Sequence, residues 1–236
     1  MGELVTYRRE GRVATITMDD AKVNVFSTAM LRAVHGAFDE AERDGAVVVL
    51  TGRANYFSAG FDLRTIAAGA APAREMLQLG ATLAERVLSF PTPVVIACTG
   101  HAFPAGAFLL LSADLRIGVD GPFQIGLNEV RIGLTVPWFA IELARHRLHP
   151  AAFDRTVVNA TMYRPKEAVA PGFLDRVVPA TDLETVSGEA AAELAELDLA
   201  RHLATKLRAR AQALTALRAA IDAELVDRPA GAAQPS

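Results

Sequence analysis

Two short stretches of the chain place small residues where a backbone must come close to something. One is Phe57-Ser-Ala-Gly-Phe-Asp-Leu63, in which Gly60 permits a conformation that other residues resist. The other is Gly100-His-Ala-Phe-Pro-Ala-Gly-Ala107, a tight exit from an apolar run straight into an apolar helix. The first turn of a helix presents unpaired N–H groups and a positive dipole end, which suits a developing anion. Pro104 fits near that start, because its missing N–H would have had no helical partner. Taken alone, each stretch is a glycine-containing loop: the first allows close backbone approach to a ligand, and the second offers N–H groups suited to negative charge. More familiar sites are absent from the sequence: no Gly-x-x-x-x-Gly-Lys phosphate loop, no Gly-x-Gly-x-x-Gly after a strand, no His-Glu-x-x-His and no Gly-x-Ser-x-Gly. The five histidines are scattered; His146 and His149 have no acidic or cysteine partner at metal-ligand spacing and read as surface or packing residues.

The elements that must position these stretches alternate strand and helix, which argues for an α/β fold. Residues 3–9 and 12–18 alternate apolar and polar around Glu10-Gly11, a hairpin signal. Ser27 is placed to cap a helix to about Arg43, with Met30, Leu31, Val34 and Phe38 on one face. Val47–Leu50 and Val94–Thr99 read as buried strands, separated by an irregular stretch from Arg53 to Leu63 and a helix over 74–89. A short apolar helix over about 105–113 follows, then strands at Leu115–Val119 and Phe123–Ile125. Short helices are predicted after Pro137, after Pro150 and over 165–170, with a small strand at Val177-Val178. Helices over 182–197 and 199–226 precede a Pro-, Gly- and Ala-rich tail.

Composition narrows the function. A chain of 236 residues can bury a core without disulfide or metal staples, and 51% hydrophobic with 22% charged residues is ordinary globular usage. A formal charge of −3 argues against sequence-independent nucleic-acid binding, which needs a basic surplus to displace counterions. The lone cysteine, Cys98, cannot form an internal disulfide and reads as a small buried hydrophobe in a strand. The amino-terminal residues have no apolar core of the signal-peptide kind, and Gly100, His101 and Pro104 interrupt the most apolar window, 93–111. A cytoplasmic protein without membrane association is the expectation.

Taken together, the motifs resemble a family. Phe-Ser-Ala-Gly-Phe-Asp-Leu, then Pro-Ala-Gly-Ala about forty residues on, an Asp-Leu-Arg-Ile strand, Ile125-Gly-Leu-Asn-Glu129 and the later Glu167-Ala-x-x-x-Gly-Phe-Leu-Asp-x-Val-Val-Pro179 are similar, in that order, to the crotonase (enoyl-CoA hydratase/isomerase) superfamily. The resemblance spans nearly the whole chain. It implies a spiral of ββα turns with a carboxyl-terminal helical trimerisation region, a homotrimer or dimer of trimers, an acyl-CoA thioester substrate and no separate cofactor. It implies that two backbone N–H groups hold the thioester oxygen: that of Phe61, and that of Ala105 or, with a one-residue slip, Gly106. Hydratases of the family carry two glutamates; here the first position is Phe108 and the second Glu129. A phenyl ring can neither give nor take a proton. The stretch around Glu129 is closest to that of 3,2-enoyl-CoA isomerases, which use a single glutamate there. Isomerisation is accordingly favoured over hydration, with a non-catalytic acyl-CoA-binding protein as the reading from another class.

On the same resemblance, Ala59, Gly60, Asp62 and Leu63 fall at the substrate, with Phe108 and Trp138 in the apolar pocket expected to raise the Glu129 pKa. The division it suggests is a spiral core over 1–180, carboxyl-terminal helices over 181–227 for trimerisation and a CoA lid, and a flexible tail over 228–236. The last helix carries Lys206 and Arg210 four residues apart, hence on one face. Lys206, with Arg210 beside it, is a candidate for the CoA phosphates, against the alternative of a solvated basic face; Lys22 is a second candidate on the resemblance alone.

Overall fold

The computed structural model describes residues 3–225. Strands β1 (Val5–Glu10) and β2 (Val13–Met18) form the antiparallel hairpin, turning at Gly11 with φ +59°. After the short β3 (Val25–Phe26), helix α1 (Thr28–Asp44) starts where Ser27 accepts the Met30 N–H at 3.2 Å. It ends at Gly45, whose left-handed conformation (φ +59°) lets its N–H close on Ala41 and Glu42. Strand β4 (Val47–Thr51) leads to two short strands, β5 (Asn55–Ser58) and β6 (Gly60–Phe61), then helices α2 (Leu63–Ala67) and α3 (Ala70–Ser89). Strand β7 (Val94–Cys98), short strand β8 (Gly100–Ala102) and helix α4 (Ala105–Ser112) repeat the pattern, and β9 (Leu115–Val119) begins another round. A single 3-10 turn at Val130–Ile132 precedes helices α5 (Trp138–Arg147) and α6 (Pro150–Val157). Strand β10 (Arg176–Val178) and helices α7 (Leu183–Ala195), α8 (Leu199–Ala209) and α9 (Ala211–Glu224) complete the described chain.

Among the described residues the long strands form one six-stranded sheet, ordered β1-β2-β4-β7-β9-β10 and parallel beyond the first hairpin. The short strands pair from one round to the next, β3 with β6 and β5 with β8. The chain thus spirals: long strand, short strand, helix, and again. Because successive strand residues face opposite sides, Val48, Leu50 and Ile96 enter a core with α1, α3 and α4, while Val47, Val49 and Val95 pack under α7. Both faces being covered explains why β7, and β4 from Val47 to Leu50, are continuously apolar. No helix among the described residues is long and apolar enough to cross a membrane.

The structure corrects several expectations. The stretch 53–63 is not irregular, since it holds β5 and β6, and the helix expected over 74–89 begins at Ala70. Phe123–Ile125 is not a strand: Ile125 alone bridges Ala102 and Tyr163, and the chain turns at Gly126 with φ +153°. Residues 165–170 form turns, too short between Pro165 and Pro171 to propagate a helix. The helix expected over 199–226 breaks at Arg210, where the side chain is drawn inward to Leu88 O (2.7 Å) and Asp114 (2.8 Å). The tail over 228–236 lies outside the described residues.

Candidate active site

The two glycine-bearing stretches meet. Ser58 Oγ donates to Asn24 O (2.7 Å) and accepts the Gly60 N–H (3.1 Å), while Ser58 O accepts the Phe103 N–H (3.1 Å). Asn24, buried, anchors this knot through its amide to Met18 O at 2.9 Å. Gly60 sits at φ +93°, and a Cβ there would stand 2.5 Å from Pro104 Cδ. At Gly106 a Cβ would stand 2.9 Å from Ser58 O. Both positions need glycine, one for its backbone angle and both for close approach of the two segments.

The donors follow from this arrangement. Asp62 N–H donates to Phe26 O (3.3 Å), on the β3 side. Neighbouring strand residues turn their N–H groups to opposite sides, so the N–H of Phe61 faces away from β3. In α4 the N–H groups of Ala105, Gly106 and Ala107 precede the first intrahelical acceptor; Phe108 N–H is the one that reaches Pro104 O, at 3.1 Å. α4 is buried along its length and held at its far end by Arg147, which donates to Leu111 O (3.2 Å) and Ala113 O (2.5 Å). Cationic groups belong at a helix carboxyl end, where the dipole is negative.

Phe61 borders a cavity of about 300 Å³, whereas Gly60, Ala105 and Gly106 are outside its lining, flanked there by Pro104 and Phe108. Ala59 and Phe61 line it from the first stretch, Leu63 and Ile66 from α2, Leu77 from α3, and Phe103, Pro104 and Phe108 from the second stretch. The remaining wall is Asn128, Glu129, Ile132, Leu134, Thr135 and Pro137. Glu129 is 3% exposed, and both its carboxylate oxygens are buried without a hydrogen-bond partner. Burial pushes its pKa up to about 7, outweighing the opposing effect of its own backbone N–H. Such a carboxyl is a base and an acid in comparable measure near neutral pH. Asn128 Oδ1, on the same wall, is likewise buried without a partner.

Not every residue expected at the site is there. Asp62 caps α2, accepting Arg64 N–H at 3.1 Å, and does not line the cavity. Trp138 is 62% exposed and outside the lining; its backbone N–H donates to Glu224 at 2.9 Å, so Phe61 and Phe108 supply the aromatic wall without it. Lys206 is a clear correction. Its ammonium is buried and its three donors are spent on Phe90 O (2.9 Å), Thr92 O (3.0 Å) and Asp114 (2.7 Å), leaving none for a phosphate. Arg210 is held by Leu88 O and the other Asp114 oxygen, with a side chain only 11% exposed. Lys22 is exposed on the loop before Asn24. Sequence reasoning missed Asn128, although it stands within the motif; Ile66, three residues past Leu63 at helical spacing, was the only signal for the α2 wall.

Comparison with known proteins identifies the family. The family model for enoyl-CoA hydratase/isomerase matches residues 8–230. A protein of Thermus thermophilus described as a putative enoyl-CoA hydratase is 34% identical over 222 residues, 88% of this chain and 82% of the relative. The crystal structure of an enoyl-CoA hydratase/isomerase family protein from Pseudomonas syringae superposes with a TM-score of 0.91 at 47% identity, over 93% of this chain and 95% of that one. Human mitochondrial delta3-delta2-enoyl-CoA isomerase superposes with a TM-score of 0.88 at 26% identity, over 94% and 89% of the two chains. The chain thus belongs to the enoyl-CoA hydratase/isomerase family, within the crotonase superfamily, and its spiral fold is that of the solved relatives.

Proposed function

We propose that this protein moves the double bond of a 3-enoyl-CoA thioester to the 2-position, using Glu129 as the only proton carrier. The observation that supports it best is one orphaned, buried carboxylate facing an apolar cavity in which Phe108 occupies the place of a second acid. In this reading the thioester oxygen lies between the N–H groups of Phe61 and Ala105, with that of Gly106 next along the helix. Donors placed where charge develops are typically worth ~10²–10³ each in rate. Glu129 takes the C2 proton, the electron pair moves onto the thioester oxygen as an enolate, and the 3,4 π bond becomes a 2,3 bond as Glu129 returns the proton to C4. The carboxyl is alternately base and acid, a task that a pKa near 7 suits.

Hydration is the second reading, since the Thermus relative is described as a hydratase. Adding water across the double bond calls for a second proton-transfer group, and Phe108 offers none. The test is to supply 3-enoyl and 2-enoyl thioesters separately and follow conjugation and water addition. Isomerisation faster than hydration is expected; the reverse order would overturn the proposal. CoA enters as part of the substrate, and Lys22 is the remaining candidate for a phosphate contact. The reading carries with it a homotrimer or dimer of trimers, which light scattering measures directly.

A further inference from the structure

We propose that Gly80 sets how much acyl chain the cavity accepts, by giving the Phe61 ring a seat on α3 clear of the substrate. The inference rests on the acyl-CoA reading above and adds a specificity-determining residue outside the lining.

Gly80 lies buried within α3, an interior position where glycine is the poorest helix former apart from proline. It needs no unusual backbone angle there. What it provides is space: a Cβ at this position would stand 2.5 Å from both Cε1 and Cζ of Phe61. The ring therefore lies flush against bare helix backbone. On its other side it lines the cavity, with the Phe108 ring centroid 6.3 Å away. Leu77, one helical turn before Gly80, lines the same cavity, so this face of α3 looks toward the substrate.

The backbone of Phe61 is fixed by its pairing with β3 and by the Gly60–Pro104 contact. A methyl group at position 80 can then be relieved only by swinging the ring. Restoring an ordinary carbon contact of about 3.5–4.0 Å requires a shift on the order of 1 Å away from α3, which is into the cavity. Position 80 thus controls cavity width through a side chain it does not share, while the Phe61 N–H stays in place.

The test is binding of saturated acyl-CoA thioesters of four, eight and twelve carbons, which requires no turnover. Wild type, Gly80→Ala, Phe61→Ala and the double variant are compared. Each methylene excluded from an apolar site weakens binding roughly fourfold. Gly80→Ala should weaken the twelve-carbon ligand on the order of tenfold or more and spare the four-carbon ligand within about twofold. Phe61→Ala should strengthen the dependence on chain length, and in that background Gly80→Ala should have no effect on any ligand. Equal weakening at all lengths by Gly80→Ala, or no rescue in the double variant, overturns the proposal. If Gly80→Ala does not fold, the Phe61→Ala series decides: an unchanged chain-length dependence overturns it. Failure of wild type to bind any thioester overturns the acyl-CoA reading itself, a result distinct from binding with an unaltered length profile.

Discussion

Asp114 and Glu129 are both carboxylates largely withdrawn from water, and the protein treats them in opposite ways. Asp114 accepts the Val94 N–H at 2.7 Å, the Lys206 ammonium at 2.7 Å and the Arg210 guanidinium at 2.8 Å. No other residue donates a hydrogen bond to Glu129, and its pKa rises to about 7. The first is a structural charge whose partners are supplied by the fold. The second has had its partners withheld, and a group so placed binds or releases a proton at little cost in either direction. Burial alone therefore does not single out a candidate proton carrier; burial without partners beside a cavity is what sets Glu129 apart from Asp114.

The sharpest way to break this contrast is Glu129→Gln. The amide keeps the shape and loses the basicity, so turnover should fall by about 10²–10⁴ while affinity for a saturated acyl-CoA stays within a few-fold. Deuterium exchange at C2 of a bound thioester reads the step itself; exchange at the wild-type rate would remove Glu129 from the mechanism.

At the other carboxylate, Asp114→Asn should leave the catalytic rate per folded molecule intact and destabilise the protein by about 3–5 kcal/mol, because two buried cations lose their counter-charge. A urea midpoint that barely moves, at unchanged slope, would mean that Lys206 and Arg210 are satisfied by carbonyls alone.

Stability against pH separates the two sites again. Glu129 has a higher pKa in the folded than in the unfolded chain, so the folded protein binds the extra proton between about pH 4.5 and 7. Stability contributed by that proton is present below about pH 4.5 and is lost as pH rises to 7, about 3 kcal/mol in all at ~1.4 kcal/mol per unit. His146, its pKa lowered by burial to about 4, tilts the profile the other way in both proteins, so the Glu129 contribution is read as the difference between wild type and Glu129→Gln in parallel denaturation series at pH 5 and pH 8.

The smallest effect should come from Lys206→Met. It strands two carbonyls but leaves the Asp114–Arg210 pair, a cost of about 1–3 kcal/mol. Acyl-CoA affinity and its salt dependence should not change; a flattened salt dependence would return Lys206 to the phosphate site.

That last variant also marks the boundary of what the sequence discloses. Local signals carried far: Ser27 starts α1, Gly11 turns the hairpin, and the two glycine-bearing stretches mark a close backbone approach. Lys206 and Arg210 read as a basic face because helical spacing shows which residues align, not what they meet. Their partner, Asp114, lies 92 and 96 residues earlier. The break at Arg210 has the same origin: no proline or glycine signals it, and a long-range contact produces it. The order of the site was legible as motif. That Glu129 lacks any partner was not, since absence of a contact is a property of the packed molecule.

Those long separations bear on how the molecule comes into being. Arg218 meets Glu85 across 133 residues, and the cations of Asp114 are made nearly a hundred residues after it. At cellular synthesis rates Asp114 waits roughly 5–20 s on the ribosome for Lys206 and Arg210. Until then the start of β7 and the end of α3 must remain hydrated around an uncompensated charge, though every cavity-lining residue has already been made. Assembly of the candidate site is thus tied to the arrival of helices that contribute no residue to its lining, and high contact separation of this kind favours slow, late consolidation over rapid local folding.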